Sequence, residues 1–275
     1  MRTDLNKVNN ETVSVIMAVY NCEKTVGEAI ESILNQTYQD IQLIICDDCS
    51  ADATAAVVRQ YAETYPEKIV FIRNEKNMKL PYSLNHCLEH AMGKYIARMD
   101  GDDYSYPTRF EIQVNYLKEH SNIDLVGTAM EIYNGKEITG VVKKEKRPQK
   151  ADFINTNVFS HATILTYKYV YDELGGYSLL DRAVRVEDYD LWMRFCKAGF
   201  IGENINNICY RVLEDDSTID RRKFKYRVNG YKTAKFGVEL LDLPRKCLIK
   251  PFRGLIIGLI PKPVYALLHR AKYQK

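Results

Sequence analysis

After a polar start the chain reads TVSVIMAVY at 12–20, a β-branched, apolar run of strand length. Such a run between polar flanks predicts a buried strand. Residues 23–36 then place Val26, Ile30, Ile33 and Leu34 at helical spacing. The alternation repeats: IQLIIC (41–46) before a helix over 52–64, KIVFIR (68–73) before the Asn74–Asn77 turn and a helix over 81–92, and KYIARM (94–99) as a fourth strand. Strands this apolar are covered on both faces, so the pattern predicts an α/β fold with a mostly parallel, Rossmann-like sheet flanked by helices. Ligands of such sheets bind beyond the carboxyl ends of the strands. That rule puts Ala18, Val19, Tyr20 and Asn21, the segment Asp47–Ser50, and Asp100–Asp103 on one rim, although they are far apart in sequence.

Beyond residue 120 the pattern loosens. IDLVGTAMEIY (123–133) predicts another strand, and KKEKRPQK (143–150) a solvated, mobile stretch. A helix over Glu187–Lys197 carries Leu191, Trp192 and Phe195 on one side and opens with Glu187, Asp188 and Asp190, where the helix dipole favours negative charge. Residues 219–237 predict a basic helix.

The fourth strand delivers the densest chemistry. In YIARMDGDDYSYPTRFE (95–111), Asp100, Asp102 and Asp103 surround Gly101. Carboxylates this close raise one another's pKa unless a cation intervenes, and hard divalent ions prefer carboxylate oxygens. The alternative is an acidic turn that caps a helix starting near Pro107. Likewise Asp48 and Ser50 would serve as caps for the helix at 52–64.

Composition narrows the classes. The 275 residues are 46% hydrophobic and 27% charged, with a net charge of +3 and a pI near 8.3, an ordinary globular balance too mild to point to nucleic acid. The start lacks the apolar core of a signal peptide. Seven scattered cysteines suggest free thiols in a reducing cytosol.

Five segments occur in an order that resembles the family 2 inverting glycosyltransferases: VSVIMAVYN, SILNQTYQDIQLIICDDCSADAT, GKYIARMDGDDYSYPTRFE, LGGY and VEDYDLWMRF. The resemblance covers about residues 12–215 and implies the GT-A fold. It divides the chain into a catalytic domain at 1–218, with a nucleotide-sugar half at about 12–103 and an acceptor half at about 104–218, and a basic helical C-terminal extension at 219–275. It implies a nucleotide-sugar donor, a UDP-sugar above others, and a glycan or lipid-linked acceptor. Ala18, Val19, Tyr20, Asn21 and Asp48 would then form the nucleotide pocket, with Asp48 accepting from the uracil N–H. Asp100 and Asp102 match the D-x-D pair; Asp102 would hold Mn²⁺ or Mg²⁺, and Asp100 would meet the ribose or stand beside the metal. Asp188, with Glu187 before it, matches the catalytic base of a single displacement. One position departs: in CYRVLEDDST (209–218), Leu213 stands where many relatives carry a metal-side histidine. Glu214, Asp215 or water would have to complete the shell.

Rival readings are weaker. HCLEH (86–90) matches an inverted zinc-peptidase motif, with His86 expected on the wetter side of its helix, but no further ligand is identifiable. CDDC (46–49) lacks the second pair a structural zinc needs. AVYNCEKTV lacks the glycine-rich loop of a sugar nucleotidyltransferase. A non-enzymatic binding module would need the rim but not Asp188.

The tail 244–275 has no apolar run near the roughly 20 residues that span a bilayer. Its basic and apolar mixture suits an anionic membrane surface, peripheral on the inner face of the cytoplasmic membrane. A helix pair packed on the catalytic domain would carry similar residues.

Overall fold

The computed structural model describes residues 11–155, 157–214 and 224–257. Its first half alternates as expected: β1 (Val13–Val19), α1 (Val26–Leu34), β2 (Ile41–Asp47), α2 (Thr54–Thr64), β3 (Ile69–Arg73), α3 (Leu80–Glu89) and β4 (Tyr95–Asp100). The four strands are parallel in the order β3-β2-β1-β4, with Val19 level with Asp47 and Ala18 level with Asp100. Side chains alternate between two cores. Val15, Met17, Leu43, Ile45, Ala97 and Met99 pack on one face with α1, and Ile16, Ile44, Cys46 and Ile96 on the other with Leu84 and Cys87 of α3. Burial on both faces is why these strands read as continuous apolar runs.

The second half is mixed. It runs β5 (Tyr104–Ser105), α4 (Arg109–Glu119), β6 (Leu125–Tyr133), β7 (Ile138–Val142), α5 (Asp152–Asn155), β8 (Leu165–Tyr167), α6 (Lys168–Leu174), α7 (Glu187–Ala198) and β9 (Gly202–Leu213). β8 lies antiparallel between β4 and β6, and β9 runs parallel to β6 with register shifts around Ala129. The two-residue β5 pairs with β9 immediately after the acidic cluster and so fastens that loop to the sheet.

The stretch 143–150 is mostly exposed, as its charged composition predicts, yet it is tied to the sheet. Arg147 Nη2 lies 2.6 Å from Glu203 Oε1, and Asn204 donates its backbone N–H to the Lys146 carbonyl and its side-chain amide to the Glu145 carbonyl, each at 2.8 Å. Its partners come from β9, far along the chain, so local composition could not announce them.

After residue 223 come α8 (Phe224–Leu240) and α9 (Ile249–Ile257). α8 lies on α7 through buried Thr233, Ala234 and Val238, and a Cβ at Gly237 would fall 2.0 Å from Met193 Sδ. α9 lies on α8 through a Tyr231–Phe252 edge contact at 6.0 Å and an Arg227 hydrogen bond to the Gly254 carbonyl. Of the tail 244–275 only residues up to 257 are described, and there the inner face of α9 is packed as the alternative to a membrane surface expects. Residues 219–223 and 258–275 of the expected extension lie outside the described residues. No described helix is long and apolar enough to cross a membrane.

Candidate active site

The ends of β1, β2 and β4 form one rim, as the parallel sheet predicts. The Asp48 amide donates to the Val19 carbonyl at 2.9 Å, the Asn21 amide to Ser50 Oγ at 2.9 Å, and Asn21 Oδ1 accepts the Ala51 N–H at 2.9 Å. Asn21 and Cys49 hold φ of 51° and 61°, a left-handed conformation that asparagine tolerates better than most residues. Gly101 is required by close approach, because a Cβ there would meet Val19 Cγ1 at 2.8 Å and Cys22 Sγ at 3.1 Å. Thr25 Oγ1 donates to the Gly101 carbonyl, tying the acidic loop to the turn before α1.

Asp48 is buried and does not cap α2; Asp52 instead accepts the Thr54 N–H at 3.0 Å. Asp48 accepts from Asn74 Nδ2 (2.8 Å), the Met78 N–H (2.7 Å) and the Lys79 N–H (2.8 Å), so the loop 74–79 is folded around it. A carboxylate offers about four acceptor positions, which leaves roughly one for a ligand. Asn74 also donates to Ser83 Oγ and meets His86 Nδ1 at 3.0 Å. His86 thus serves the rim rather than a zinc site. Among the described residues no three His, Cys, Asp or Glu side chains could hold a metal together, and all seven cysteines are free.

In the acidic loop, Arg98 clamps Asp100 with two bonds of 2.8 and 2.5 Å, and the Asp100 amide donates to Tyr210 Oη. Asp103 is buried and accepts the Leu213 N–H at 2.9 Å; burial, then the charges of Asp100 and Asp102, push its carboxyl well above the usual range. Burial, with a smaller push from Asp102, raises the Cys22 thiol to about 12. The loop therefore gathers hard carboxylate oxygen atoms at the end of β4. That donor chemistry fits Mg²⁺ or Mn²⁺ completed by water and diphosphate oxygens. The Glu214 amide donates to the Tyr133 carbonyl, and Asp215 lies outside the described residues.

At the start of α7, Glu187 is buried and its Oε2 has no hydrogen-bond partner among the described residues. Burial, reinforced by the Asp188 charge, pushes its carboxyl up to about 7. Asp188 is half-buried; Oδ1 accepts the Tyr189 N–H at 2.8 Å and Oδ2 accepts from Asn157 Nδ2. Asn157 Oδ1 is buried without a partner among the described residues, and the Asn157 carbonyl accepts from Lys144 Nζ at 2.8 Å. Burial pulls the Lys144 amine down, while the Asp188 charge opposes that shift.

Arg98 joins the two ends. It is buried, binds Asp100, and its charge favours the ionised form of Glu187. An arginine inside an otherwise apolar strand was the available sequence signal; Asn157 and Lys144 gave none. The LGGY segment is held beside this network. Asn85 exchanges two hydrogen bonds with the Tyr177 backbone, at 2.9 and 2.7 Å, and Arg194 donates to the Leu174 and Gly176 carbonyls. Gly176 sits at φ 70°, with no room for a Cβ against Asn85 Oδ1.

Solved structures share this architecture. S. aureus TarS 1–349 in complex with UDP-GlcNAc aligns with a TM-score of 0.69 at 19% identity, covering 90% of this chain and 72% of that one; the chain spans 43% of full TarS. A mannosyltransferase from Pyrobaculum calidifontis in complex with GDP-Man and Mn²⁺ aligns with a TM-score of 0.62 at 18% identity over 96% and 80%. The fold is thus that of the GT-A glycosyltransferases. The model named "Glycosyl transferase family 2" matches residues 14–175. Bacillus subtilis EpsE, named as a glycosyltransferase, is 40% identical over 260 residues, 94% of each chain. Escherichia coli WfaP, named as a UDP-Glc:alpha-D-GlcNAc-diphosphoundecaprenol beta-1,3-glucosyltransferase, is 30% identical over 78% of this chain and 82% of that one. The chain belongs to glycosyl transferase family 2 and is a glycosyltransferase.

Proposed function

We propose that the enzyme moves a sugar, with inversion, from a UDP-sugar to a hydroxyl of a surface glycan or lipid-linked acceptor, with Mn²⁺ or Mg²⁺ bound. The observation that carries this reading is Arg98, which binds Asp100 of the donor loop and lies within electrostatic reach of Glu187, next to Asp188. The printed name of WfaP, with its UDP-Glc donor and lipid-diphosphate acceptor, and the UDP-GlcNAc complex of TarS support the substrate class. Residues 12–103 are the donor half of a catalytic domain at 1–218, residues 104–218 the acceptor half, and 219–275 an extension. A lipid-linked acceptor would bring the basic segment 244–275 to the inner face of the cytoplasmic membrane.

In this mechanism the backbone at Ala18–Asn21 lines the nucleotide and the open acceptor position of Asp48 takes the uracil N–H. Asp100 meets the ribose or stands beside the metal, and Asp102 is the principal protein ligand. The bound ion supplies positive charge for the departing diphosphate. Asp188, aimed by Asn157 and the Tyr189 N–H, takes the proton of the acceptor hydroxyl. The hydroxyl oxygen forms its bond to the anomeric carbon while the carbon–phosphate-oxygen bond breaks on the opposite face. A panel of nucleotide sugars, assayed for binding and hydrolysis with Mn²⁺ and with excess EDTA, tests the reading. UDP-sugars should be turned over only with metal. Full activity in EDTA removes the metal, and a guanosine or thymidine preference removes the Asp48 pocket.

A further inference from the structure

The described end of the chain has two unlike sides. The inner side of α9 packs on α8, yet Ile249, Phe252 and Ile256 stay 58%, 51% and 53% exposed. Their spacing places all three within about 60° of arc on one helix face. Arg253 and Lys250 continue that face along one edge, and Arg245 and Lys246 lie in the 3-10 turn Arg245–Leu248 just before it; all four are exposed. No Asp or Glu occurs from Leu243 to the end of the sequence. Residues 1–242 carry more acids than bases, so the +3 net charge of the chain resides in this last segment.

We infer that the outer face of α9 is a docking surface for an anionic lipid bilayer. Apolar side chains enter the acyl boundary, and the flanking cations sit among anionic headgroups. A second copy of the chain is a poorer occupant, because a symmetric contact would set this basic face against itself. The surface is also fixed in attitude. α8 binds the lead-in to α7 through Thr233 Oγ1 to the Arg182 carbonyl (2.8 Å) and Asn229 Nδ2 to the Val184 carbonyl (3.1 Å), three to five residues before Glu187. A bilayer under α9 would hold the candidate base at a set orientation to a lipid-linked acceptor. That consequence rests on the function proposed above; the docking itself does not.

The test is sedimentation of the full chain with vesicles of phosphatidylglycerol mixed with phosphatidylcholine, and with phosphatidylcholine alone. The wild type should partition to the anionic vesicles only. Ile249→Gln/Phe252→Gln/Ile256→Gln should weaken that partitioning at least tenfold, and Lys250→Gln/Arg253→Gln should weaken it about tenfold in low salt. The charge variant should keep wild-type melting, and both variants should keep UDP binding, since the triple variant loses only the Phe252–Tyr231 contact between α9 and α8. Equal partitioning of the wild type to both vesicles would overturn the inference. So would wild-type binding by the triple variant, or a dimer that Phe252→Gln dissolves without any vesicle binding. Anionic-vesicle binding without UDP binding in any protein would uphold the surface and remove the donor reading.

Discussion

At the donor rim Asp48 accepts three N–H bonds, Asn21 bonds with Ser50 and Ala51, and Arg98 clamps both oxygens of Asp100. At the start of α7, Glu187 Oε2 and Asn157 Oδ1 are buried with no partner among the described residues. Leaving such groups unsatisfied costs about 1–3 kcal/mol each, more for a charged one. Arg98 Nε and Asn77 Oδ1 at the rim are also buried without a partner among the described residues, but only at the α7 end does such unused capacity fall on a carboxylate. Buried capacity of that kind is expected where a substrate hydroxyl completes the network.

Breaking the rim at the carboxylate proposed to hold the ion should have the largest effect. Asp102→Asn should lower turnover by about 10³-fold and abolish metal-dependent donor binding, with melting unchanged, as removing several kcal/mol of charge stabilisation implies. Next is the residue that couples the two ends. Arg98→Met leaves Asp100 without its clamp and Glu187 without its nearby cation, and should reduce folding stability by about 3–5 kcal/mol in urea titration.

Glu187→Gln sharpens the comparison through pH. Burial pushes the folded carboxyl up to about 7 from its ordinary 4.5, so between those values the native state holds a proton the unfolded chain has released. The stability is fully present below 4.5 and is lost as pH rises through 7. Glutamine carries no such dependence. The stability of the variant relative to wild type should therefore rise from pH 5 to pH 8, by on the order of 3 kcal/mol at most. A pH-independent difference would contradict the burial argument. Smallest is Asn157→Ala, which removes a donor to Asp188 and should lower kcat about tenfold with UDP affinity unchanged.

The first four strands were legible because they are apolar on both faces, and β2 and β4 end in carboxylates. β9 was not. GENINNICYRVL contains three asparagines, poor strand formers, and its register shifts against β6 leave residues 206–208 exposed. The Asp48 network was hidden for another reason: its partners are backbone N–H groups of a loop about 30 residues later, which any sequence supplies. Arg185, at φ 67° two residues before Glu187, marks the turn before the proposed base only in three dimensions. The pairing of Lys144, Asn157 and Asp188 joins three separate segments, and local periodicity carries no trace of it.

The central claim is that Asp188 removes the acceptor proton at a site whose nucleotide pocket is independently built. The direct measurement is transfer by Asp188→Asn at UDP-sugar concentrations shown by calorimetry to saturate it, with Glu187→Gln alongside. UDP affinity should match the wild type while turnover falls by roughly 10²–10⁴-fold, and Glu187→Gln should lose less. Wild-type turnover by Asp188→Asn, or a larger loss in Glu187→Gln, would contradict the assignment.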